Sequence, residues 1–318
     1  MSLVERIVFL ERNTFTVEFR RPRFPHEWVD YAPTTRDEMV ERLRDATIAI
    51  VNKLPLGADA LAQLPLLKMI AVAATGVDNI DLNYCRAHRI VVSNVRNYAH
   101  HSLPEHVLML ILALRRQLVG YREDVRRGMW QQAAQFCLHT HAIQDINQST
   151  LGIIGYGSLG KAVERLARAV GMRVLISEHK GAPKVRDGRI SFEEILRSCD
   201  VVTLHCPLTE ETRNLIGATE LEMMQPHAIL INTARGGLVD EAALAQALLA
   251  GKIGGAGFDV LTSEPPREGN VLLDLQLPNF ILTPHVAWAS VEAQRILADQ
   301  LVDNLEAFIA GRPQMVVT

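Results

Sequence analysis

Residues 151–160 read LGIIGYGSLG, an apolar run that ends in three spaced glycines. The apolar part predicts a buried β-strand, and the glycines fit the pattern G-x-G-x-x-G. Gly155 permits a tight turn out of the strand, Gly157 lets the backbone approach a pyrophosphate, and Gly160 lets the next helix pack on the sheet. Phosphate is favoured at the start of that helix by its partial positive charge. Three glycines can also form an ordinary turn, so the flanking sequence must decide.

The flanking sequence favours a dinucleotide site. Residues 161–170 predict a helix with an apolar face, Gly171 ends it, and residues 172–176 predict a second strand. Glu178 follows that strand, 18 residues after Gly160. A carboxylate there accepts hydrogen bonds from both ribose hydroxyls and repels a 2′-phosphate, so the sequence predicts NAD rather than NADP. Lys180 opposes this preference, because its ammonium group can neutralise a phosphate.

Composition and charge limit the classes of partner. The chain has 318 residues, of which 48% are hydrophobic, which is enough for two domains. The net charge of −3, the pI near 6.4 and the absence of a Lys/Arg block argue against a nucleic-acid partner. No apolar run approaches the ~20 residues that cross a bilayer. We therefore expect a protein that binds neither nucleic acid nor membrane.

The N-terminus and the cysteines predict a cytoplasmic location. The first ten residues include Glu5 and Arg6 and no long apolar run, which is typical of a first strand and not of a signal peptide. The four cysteines have no metal-ligand spacing: Cys85, Cys137, Cys199 and Cys206. Reduced thiols of this kind are common in the cytoplasm.

Strand and helix patterns alternate along the chain, which predicts an α/β fold with doubly wound parallel sheets. Further short apolar strands are predicted at residues 7–10, 48–51, 69–73, 91–93, 201–205, 228–232, 255–259 and 280–283. Helices are predicted at residues 36–43 and 58–64.

Two longer helices predict the domain organisation. One is predicted at residues 104–120, with Pro104 at its first position, and the other at residues 290–310. The second follows the last strand of the dinucleotide-binding part, so we expect it to return to the first domain. The prediction is a discontinuous substrate domain of residues 1–100 and 285–318, and an inserted NAD-binding Rossmann domain of residues 101–284.

Three polar residues lie where the later strands end, which is where open α/β sheets bind ligands. Arg235 stands before two glycines and offers a planar fork to a carboxylate, although a surface arginine in a turn is the alternative. His285 follows Pro284 at a strand end, where a lone histidine is more often a capped loop residue than an acid, although its position near a domain crossing favours a catalytic role. Glu264 lies before two prolines and could orient that histidine. Each of the three is only suggestive by itself.

Together, four motifs resemble those of the D-isomer-specific 2-hydroxyacid dehydrogenases over essentially the whole chain. The motifs are GYGSLG at 155–160, LINTARG at 230–236, GFDV at 257–260 continuing to Glu264-Pro265, and TPH at 283–285. The resemblance implies two Rossmann-like domains, NAD as cofactor and hydride transfer to a 2-keto acid. It also implies a catalytic arginine at Arg235, a carboxylate at Glu264 and an acid/base histidine at His285.

The resemblance further implies which residues bind the cofactor and the substrate. Cofactor contacts are expected at Gly155, Gly157, Ser158, Leu159, Gly160, Glu178, His205, Cys206, Pro207, Thr212, Thr233, Ala234, Arg235, Asp259 and His285, with Asp259 near the nicotinamide carboxamide. Substrate contacts are expected at Leu54, Thr75, Gly76, Val77, Arg235, His285 and Trp288. The backbone amides of Gly76 and Val77 are expected to hold a carboxylate; a simple strand-to-helix turn is the alternative.

Two strings narrow the resemblance to one branch of the family. Residues 52–56 (NKLPL) and 284–290 (PHVAWAS) are similar to the glycerate dehydrogenase, or hydroxypyruvate reductase, branch. This implies reduction of hydroxypyruvate or glyoxylate to D-glycerate or glycolate, and the reverse. A D-lactate or broad-specificity 2-keto-acid reductase is the alternative, and side-chain volume near Leu54, Tyr98 and Trp288 would decide between them. An NAD-binding corepressor-like scaffold is the non-enzymatic alternative.

Two further features concern partners and metals. The stretch 121–138, with Trp130 and Phe136, lies where the family places its dimer contact, so we expect a homodimer with a twofold interface. A cluster of possible metal ligands, His100, His101, Glu105 and His106, lacks a matching second set. We therefore expect structural roles for these residues and no metal.

Overall fold

The computed structural model describes residues 4–318; the first three residues of the predicted N-terminal segment lie outside this range. The chain forms two compact units. One contains the chain up to Ala99 together with Ala289–Thr318, and the other is His100–Trp288. The sequence placed the two crossings near residues 100 and 284, and the binding roles of the units remain predictions.

The first unit is built on a parallel five-stranded sheet. Its strands are β1 (Glu5–Phe9), β2 (His26–Asp30), β3 (Ile48–Val51), β4 (Met69–Val72) and β5 (Val91–Ser93), in the order β2-β1-β3-β4-β5. Its helices are α1 (Arg36–Leu43), α2 (Ala58–Leu61), α3 (Leu82–Ala87) and, from the end of the chain, α10 (Val291–Ile309). The strands β3 and β4 are buried along their whole length, as expected for a parallel sheet covered on both faces.

The second unit is built on a parallel six-stranded sheet. Its strands are β6 (Thr150–Ile154), β7 (Arg173–Ile176), β8 (Val201–Leu204), β9 (Ile229–Asn232), β10 (Gly255–Phe258) and β11 (Phe280–Leu282), in the order β11-β10-β9-β8-β6-β7. Its helices are α4 (Ser102–Arg115), α5 (Leu118–Arg126), α6 (Ser158–Ala169), α7 (Phe192–Ser198), α8 (Ala218–Met223) and α9 (Glu241–Leu249). The fold class predicted from the sequence is therefore confirmed.

Each sheet has a topological switch point. There the chain has added one strand on one side of the sheet's first strand and then crosses over to add the next strand on the other side. In the first unit it lies between β1 and β3, and in the second between β6 and β8. Ligands of open α/β sheets bind at the carboxyl ends of the strands at such points. The glycine-rich turn after β6 occupies this position in the second unit.

The structure corrects two details of the sequence interpretation. The helix predicted at residues 104–120 begins at Ser102 and ends at Arg115, because Gln117 adopts a left-handed backbone with φ of 54° and α5 starts after it. Pro104 is therefore in the first turn but not at its first position. The strand β2 was not predicted; it is a polar edge strand that is only partly buried.

No helix among residues 4–318 is long and apolar enough to cross a membrane.

Candidate active site

The turn after β6 has the close backbone approaches that its glycines predict. Gly155 has φ of +94°, and a side chain there would meet the backbone nitrogen of Cys206 at 2.5 Å. Gly160 lies in the first turn of α6, where a side chain would meet the carbonyl oxygen of Gly155 at 2.3 Å. By contrast, a Cβ at Gly157 would meet nothing within 4 Å. The turn is thus tightly packed on one side and open beside Gly157.

The residues after β8 lie against this turn, since β8 is the neighbour of β6 at the switch point. Burial lowers the pKa of His205 to about 4, so its imidazole is neutral at neutral pH, and its Nε2 lies 3.0 Å from the Thr203 hydroxyl. Burial also raises the pKa of the Cys206 thiol to about 11, so the thiol is protonated. In the following loop, Thr212 donates its hydroxyl to the carbonyl of Pro207 at 2.7 Å.

Thr233 is an unsatisfied polar group at the end of β9. Its hydroxyl is buried, and no residue in the described range 4–318 makes a hydrogen bond to it. Buried hydroxyls normally have a partner, so this one fits a contact to a bound molecule. Together with the open turn at Gly157, it shows that the residues present suit a dinucleotide cofactor.

Arg235 is placed by a glycine that no other residue can replace. A Cβ at Gly236 would stand 1.9 Å from the carbonyl oxygen of Leu261, so the loop after β9 packs directly on the loop that leads to Glu264. Asn232 secures the same turn: its side-chain amide donates to the Arg235 carbonyl at 2.9 Å and its side-chain oxygen accepts from the Ala234 backbone at 3.1 Å.

His285 and Glu264 are brought together by the fold. Nδ1 of His285 lies 2.5 Å from Oε2 of Glu264, while Oε1 of Glu264 accepts the backbone N–H of Leu261 at 2.9 Å. The glutamate is therefore held at both oxygens and fixes the imidazole orientation. An imidazole oriented through Nδ1 by a carboxylate can hold and release a proton at Nε2.

The turn that carries His285 is held by the buried Asp259. Oδ1 of Asp259 accepts hydrogen bonds from the Thr283 hydroxyl at 2.5 Å and the Val286 N–H at 2.9 Å, and Oδ2 accepts the Ala287 N–H at 2.8 Å. His285 itself has φ of +57°, a conformation that is uncommon outside glycine. Strain of this kind persists at functional sites when surrounding bonds determine the turn, as Asp259 does here.

Trp288 and His106 make further hydrogen bonds to this turn. The indole N–H of Trp288 donates to the His285 carbonyl at 3.0 Å. Nε2 of His106 lies 2.9 Å from the Thr283 hydroxyl and 3.6 Å from Oδ1 of Asp259. Burial lowers the pKa of His106, although the charge of Asp259 opposes that shift. The sequence analysis expected Asp259 only as a cofactor contact and considered His106 only as a possible metal ligand, so it missed the hydrogen bonds by which both residues position this turn.

The histidines considered as metal ligands have separate partners. His106 contacts Thr283, and Nε2 of His100 contacts the hydroxyl of Ser158 in the first turn of α6. Within residues 4–318 no group of three or more His, Cys, Asp or Glu side chains is arranged to hold a metal ion.

Glu178 lies at the end of β7 as predicted, but its carboxylate already has partners. It accepts the backbone N–H of His179 at 2.9 Å and that of Arg186 at 3.1 Å, and it forms an ion pair with the Arg186 guanidinium. These bonds, chiefly those from the Arg186 side chain, hold the pKa of Glu178 well below its usual range. A ribose at this carboxylate would therefore share it with a cation that the sequence interpretation did not consider.

In the first unit, the loops expected to hold substrate are organised by two polar side chains. The carboxylate of Glu11, which follows β1, accepts the backbone N–H groups of Asn52, Lys53 and Leu54 at 2.7–3.1 Å. The side-chain amide of Asn79 donates to the Leu54 carbonyl at 2.9 Å, and the backbone carbonyl of Asn79 accepts the Leu56 N–H at 2.8 Å.

The second loop that is expected to hold substrate follows β4. Thr75 is exposed, with its hydroxyl bonded to the Val95 carbonyl at 2.9 Å, and Gly76 and Val77 are partly exposed. Leu54, by contrast, is 9% exposed and packs in the core of the unit.

Comparisons with known proteins identify the family. Residues 108–287 match the family described as D-isomer specific 2-hydroxyacid dehydrogenase, NAD binding domain. The chain is 56% identical over 316 residues to a glycerate dehydrogenase of Methylorubrum extorquens, covering 99% of both sequences. The chain belongs to the D-isomer-specific 2-hydroxyacid dehydrogenase family. The resemblance stated from its motifs is thereby confirmed.

Other members of the family support the same assignment. A hydroxypyruvate reductase of Blautia hydrogenotrophica is 32% identical over 287 residues, covering 89% of this chain and 88% of that protein. The structure of a D-lactate dehydrogenase from Aquifex aeolicus, complexed with NAD and lactic acid, superposes with a TM-score of 0.79 at 27% identity over 96% of each chain. This chain is thus an NAD-dependent 2-hydroxyacid dehydrogenase, which confirms the predicted enzyme class and cofactor.

Proposed function

We propose that the protein reduces hydroxypyruvate, and with it glyoxylate, to D-glycerate and glycolate, and catalyses the reverse oxidation. Oxidation of glycerate at C2 yields hydroxypyruvate, and the likeness to a glycerate dehydrogenase extends over nearly the whole chain. The observation that carries the chemistry is the His285–Glu264 pair, held in a strained turn by Asp259.

His285 acts as the proton donor in this proposal. Its Nδ1 is held by Glu264, so Nε2 delivers the proton to the C2 oxygen of the keto acid. Reduction requires the imidazolium form of His285, whose Nδ1 proton the Glu264 carboxylate accepts. Bound NADH supplies the hydride for C2. In the reverse direction, neutral His285 accepts the proton from the 2-hydroxyl group.

Two sets of groups bind the substrate carboxylate and polarise the ketone in this proposal. The Arg235 guanidinium, placed by Gly236, is a bidentate donor that stabilises the negative charge developing on the carbonyl oxygen. The backbone amides of Gly76 and Val77 donate to the substrate carboxylate. Leu54, Thr75 and Trp288 form the remaining substrate contacts.

The second unit is the proposed NAD-binding domain and the first the substrate domain. The turn at Gly155–Gly157 and the first turn of α6 would hold the pyrophosphate, and Glu178 would hold the adenosine ribose. Cys206, Pro207, Thr212, Thr233–Arg235 and Asp259 would complete the nucleotide contacts. The open turn and the unsatisfied Thr233 hydroxyl support this placement.

A substrate panel tests the function. The enzyme is assayed by NADH oxidation with hydroxypyruvate, glyoxylate, pyruvate and a branched 2-keto acid, and ranked by kcat/KM. We expect hydroxypyruvate to rank first. Pyruvate in first place would replace the proposal with a D-lactate dehydrogenase, and NADH binding without turnover of any keto acid would favour a scaffold.

We further propose a cytoplasmic homodimer. The segment from α4 to residue 136 exposes an unusual set of large apolar side chains: Met109, Leu112, Leu118, Val119, Val125, Met129, Trp130 and Phe136. Phe136 is 90% exposed and Trp130 54%. A concentration of exposed large apolar side chains in one segment is typical of an interface between protein chains.

Light scattering at micromolar concentration tests the dimer. The wild type should have twice the monomer mass, and the double substitution Trp130→Ala/Phe136→Ser should shift it toward the monomer. Leu249→Ser, at another exposed leucine, is the matched control and should leave the mass unchanged. A wild-type monomer would contradict the proposal.

A further inference from the structure

His100 is a polar residue that the function proposed above does not use. It is the first residue of the second unit and precedes α4, and its Nε2 lies within hydrogen-bonding distance of the hydroxyl of Ser158. Ser158 is the first residue of α6 and is exposed. The imidazole therefore lies at the start of the helix that follows the glycine-rich turn, although it is 58 residues away in the chain.

The position of His100 is fixed by packing between α4 and α6. Pro104, Val107, Leu108 and Ile111 of α4 face Val163, Leu166 and Ala167 of α6 around a residual space of about 10 Å³. Close packing holds the two helices in one register, so His100, two residues before the first residue of α4, keeps its place beside the start of α6. The contact between His100 and Ser158 is thus a consequence of the helix pairing.

The start of α6 is suited to an anion and lacks a protein cap. The N-cap residue is Gly157, which offers no side-chain acceptor to the first N–H groups of the helix, and the space beside it is open. These groups normally bond to a capping side chain, water or a ligand. With Nε2–H of His100 donating to the Ser158 oxygen, the serine hydroxyl adds one side-chain donor to those of the backbone.

We propose that His100 and Ser158 form one recognition unit for the dinucleotide pyrophosphate, in which the imidazole positions the serine hydroxyl against a phosphate oxygen. The inference rests on the proposed placement of the pyrophosphate at the turn after β6. His100 is a positioning residue in this unit, because it acts through Ser158. The pair recognises phosphate and makes no contact with the adenosine part of the ligand.

Ligand fragments test this assignment without turnover. Dissociation constants are measured by calorimetry for ADP-ribose and for adenosine with the wild type, His100→Ala, Ser158→Ala and the double variant. We expect His100→Ala to weaken ADP-ribose by about tenfold, as for the loss of a hydrogen bond to a charged group, and to leave adenosine within about twofold. His101→Ala, at the exposed neighbour, is the matched control and should change neither constant.

A double-mutant cycle on ADP-ribose affinity measures whether the two residues act together. A histidine that only stabilised the fold would not give this coupling. If they act as one unit, the double variant loses about as much ADP-ribose affinity as either single variant. Fully additive losses, an unchanged ADP-ribose constant in His100→Ala, or an equal loss of adenosine would overturn the proposal. Failure of the wild type to bind ADP-ribose would instead overturn the proposed cofactor site, and the pair with it.

Discussion

The two units have the same strand order at their switch points but fill them differently. In the first unit the point between β1 and β3 is occupied by the chain's own carboxylate, since Glu11 accepts three backbone N–H groups from the loop after β3. In the second unit the point between β6 and β8 carries a glycine-rich turn that is open at Gly157. One fold therefore gives one edge organised by the chain's own carboxylate and another with open space beside its glycine-rich turn.

Two similar sheets therefore carry different chemistry because their loops differ. At the first edge the side chains of Glu11 and Asn79 organise backbone amides, while at the second the side chains themselves, Glu264 and His285, form a pair suited to proton transfer. Variants that act at only one edge should consequently separate substrate binding, cofactor binding and chemistry.

The largest effect on turnover is expected in the second unit, at the proposed proton donor His285. His285→Ala removes the proposed proton donor, so kcat for hydroxypyruvate reduction should fall by ~10²–10⁴-fold, the range typical of general acid–base catalysis. The dissociation constant of NADH, measured by fluorescence titration, should change little because the glycine-rich turn is untouched. Near-normal turnover would mean that another residue donates the proton.

Gly157→Ala should separate the ligand role of the turn from its structural role. A Cβ there meets nothing within 4 Å and φ is −86°, so the fold should tolerate it. A methyl group in the space proposed for the pyrophosphate should nevertheless raise the NADH dissociation constant by at least about tenfold. Calorimetry measures the binding, and an unchanged melting temperature is the control. Unaltered NADH affinity would place the pyrophosphate elsewhere.

Glu178 should control the choice between cofactors. With a carboxylate at the ribose, kcat/KM for NADH should exceed that for NADPH by at least about tenfold, or ~1.4 kcal/mol. Replacing Glu178 by Ala removes the repulsion and leaves the Arg186 guanidinium for a phosphate, so the ratio should approach unity. Equal use of both cofactors by the wild type would show that Arg186 or Lys180 already outweighs the carboxylate.

The smallest effect is expected at the first edge. Glu11→Ala releases the loop of Asn52–Leu54, so KM for hydroxypyruvate should rise by about threefold to fivefold, or ~1 kcal/mol, while kcat and NADH affinity change less. Glu11→Gln, which keeps an acceptor oxygen, should recover part of the loss. Glu18→Ala, whose side chain is 97% exposed, is the control. A fall in kcat with unchanged KM would contradict a role in substrate binding.

Much of the fold could be predicted from the sequence because buried parallel strands are continuous apolar runs. β3 and β5 have the predicted bounds, and most other strands differ only at their ends. β2 was missed because an edge strand needs no apolar pattern, and its sequence HEWVD has none. The end of α4 was missed because Gln117 adopts a left-handed conformation without the glycine that usually marks it.

The sequence predicted the residues proposed to perform the chemistry, but not the hydrogen bonds that hold the surrounding loops. Glu264 and His285 stand in recognisable motifs, and the structure brings them together. The bonds from Asp259 to the turn, from Glu11 to its loop and from His100 to Ser158 join residues 24–58 positions apart. Such pairings depend on the packing of whole elements, which a local pattern does not show.

The configuration of the product tests the proposed function most directly. Hydroxypyruvate is reduced with NADH, and the glycerate formed is resolved by chiral chromatography while NADH consumption is followed by absorbance. We expect the wild type to form D-glycerate in an amount equal to the NADH consumed. His285→Ala should form almost none in the same time. L-glycerate, a racemic product, or no NADH consumption by the wild type would contradict it.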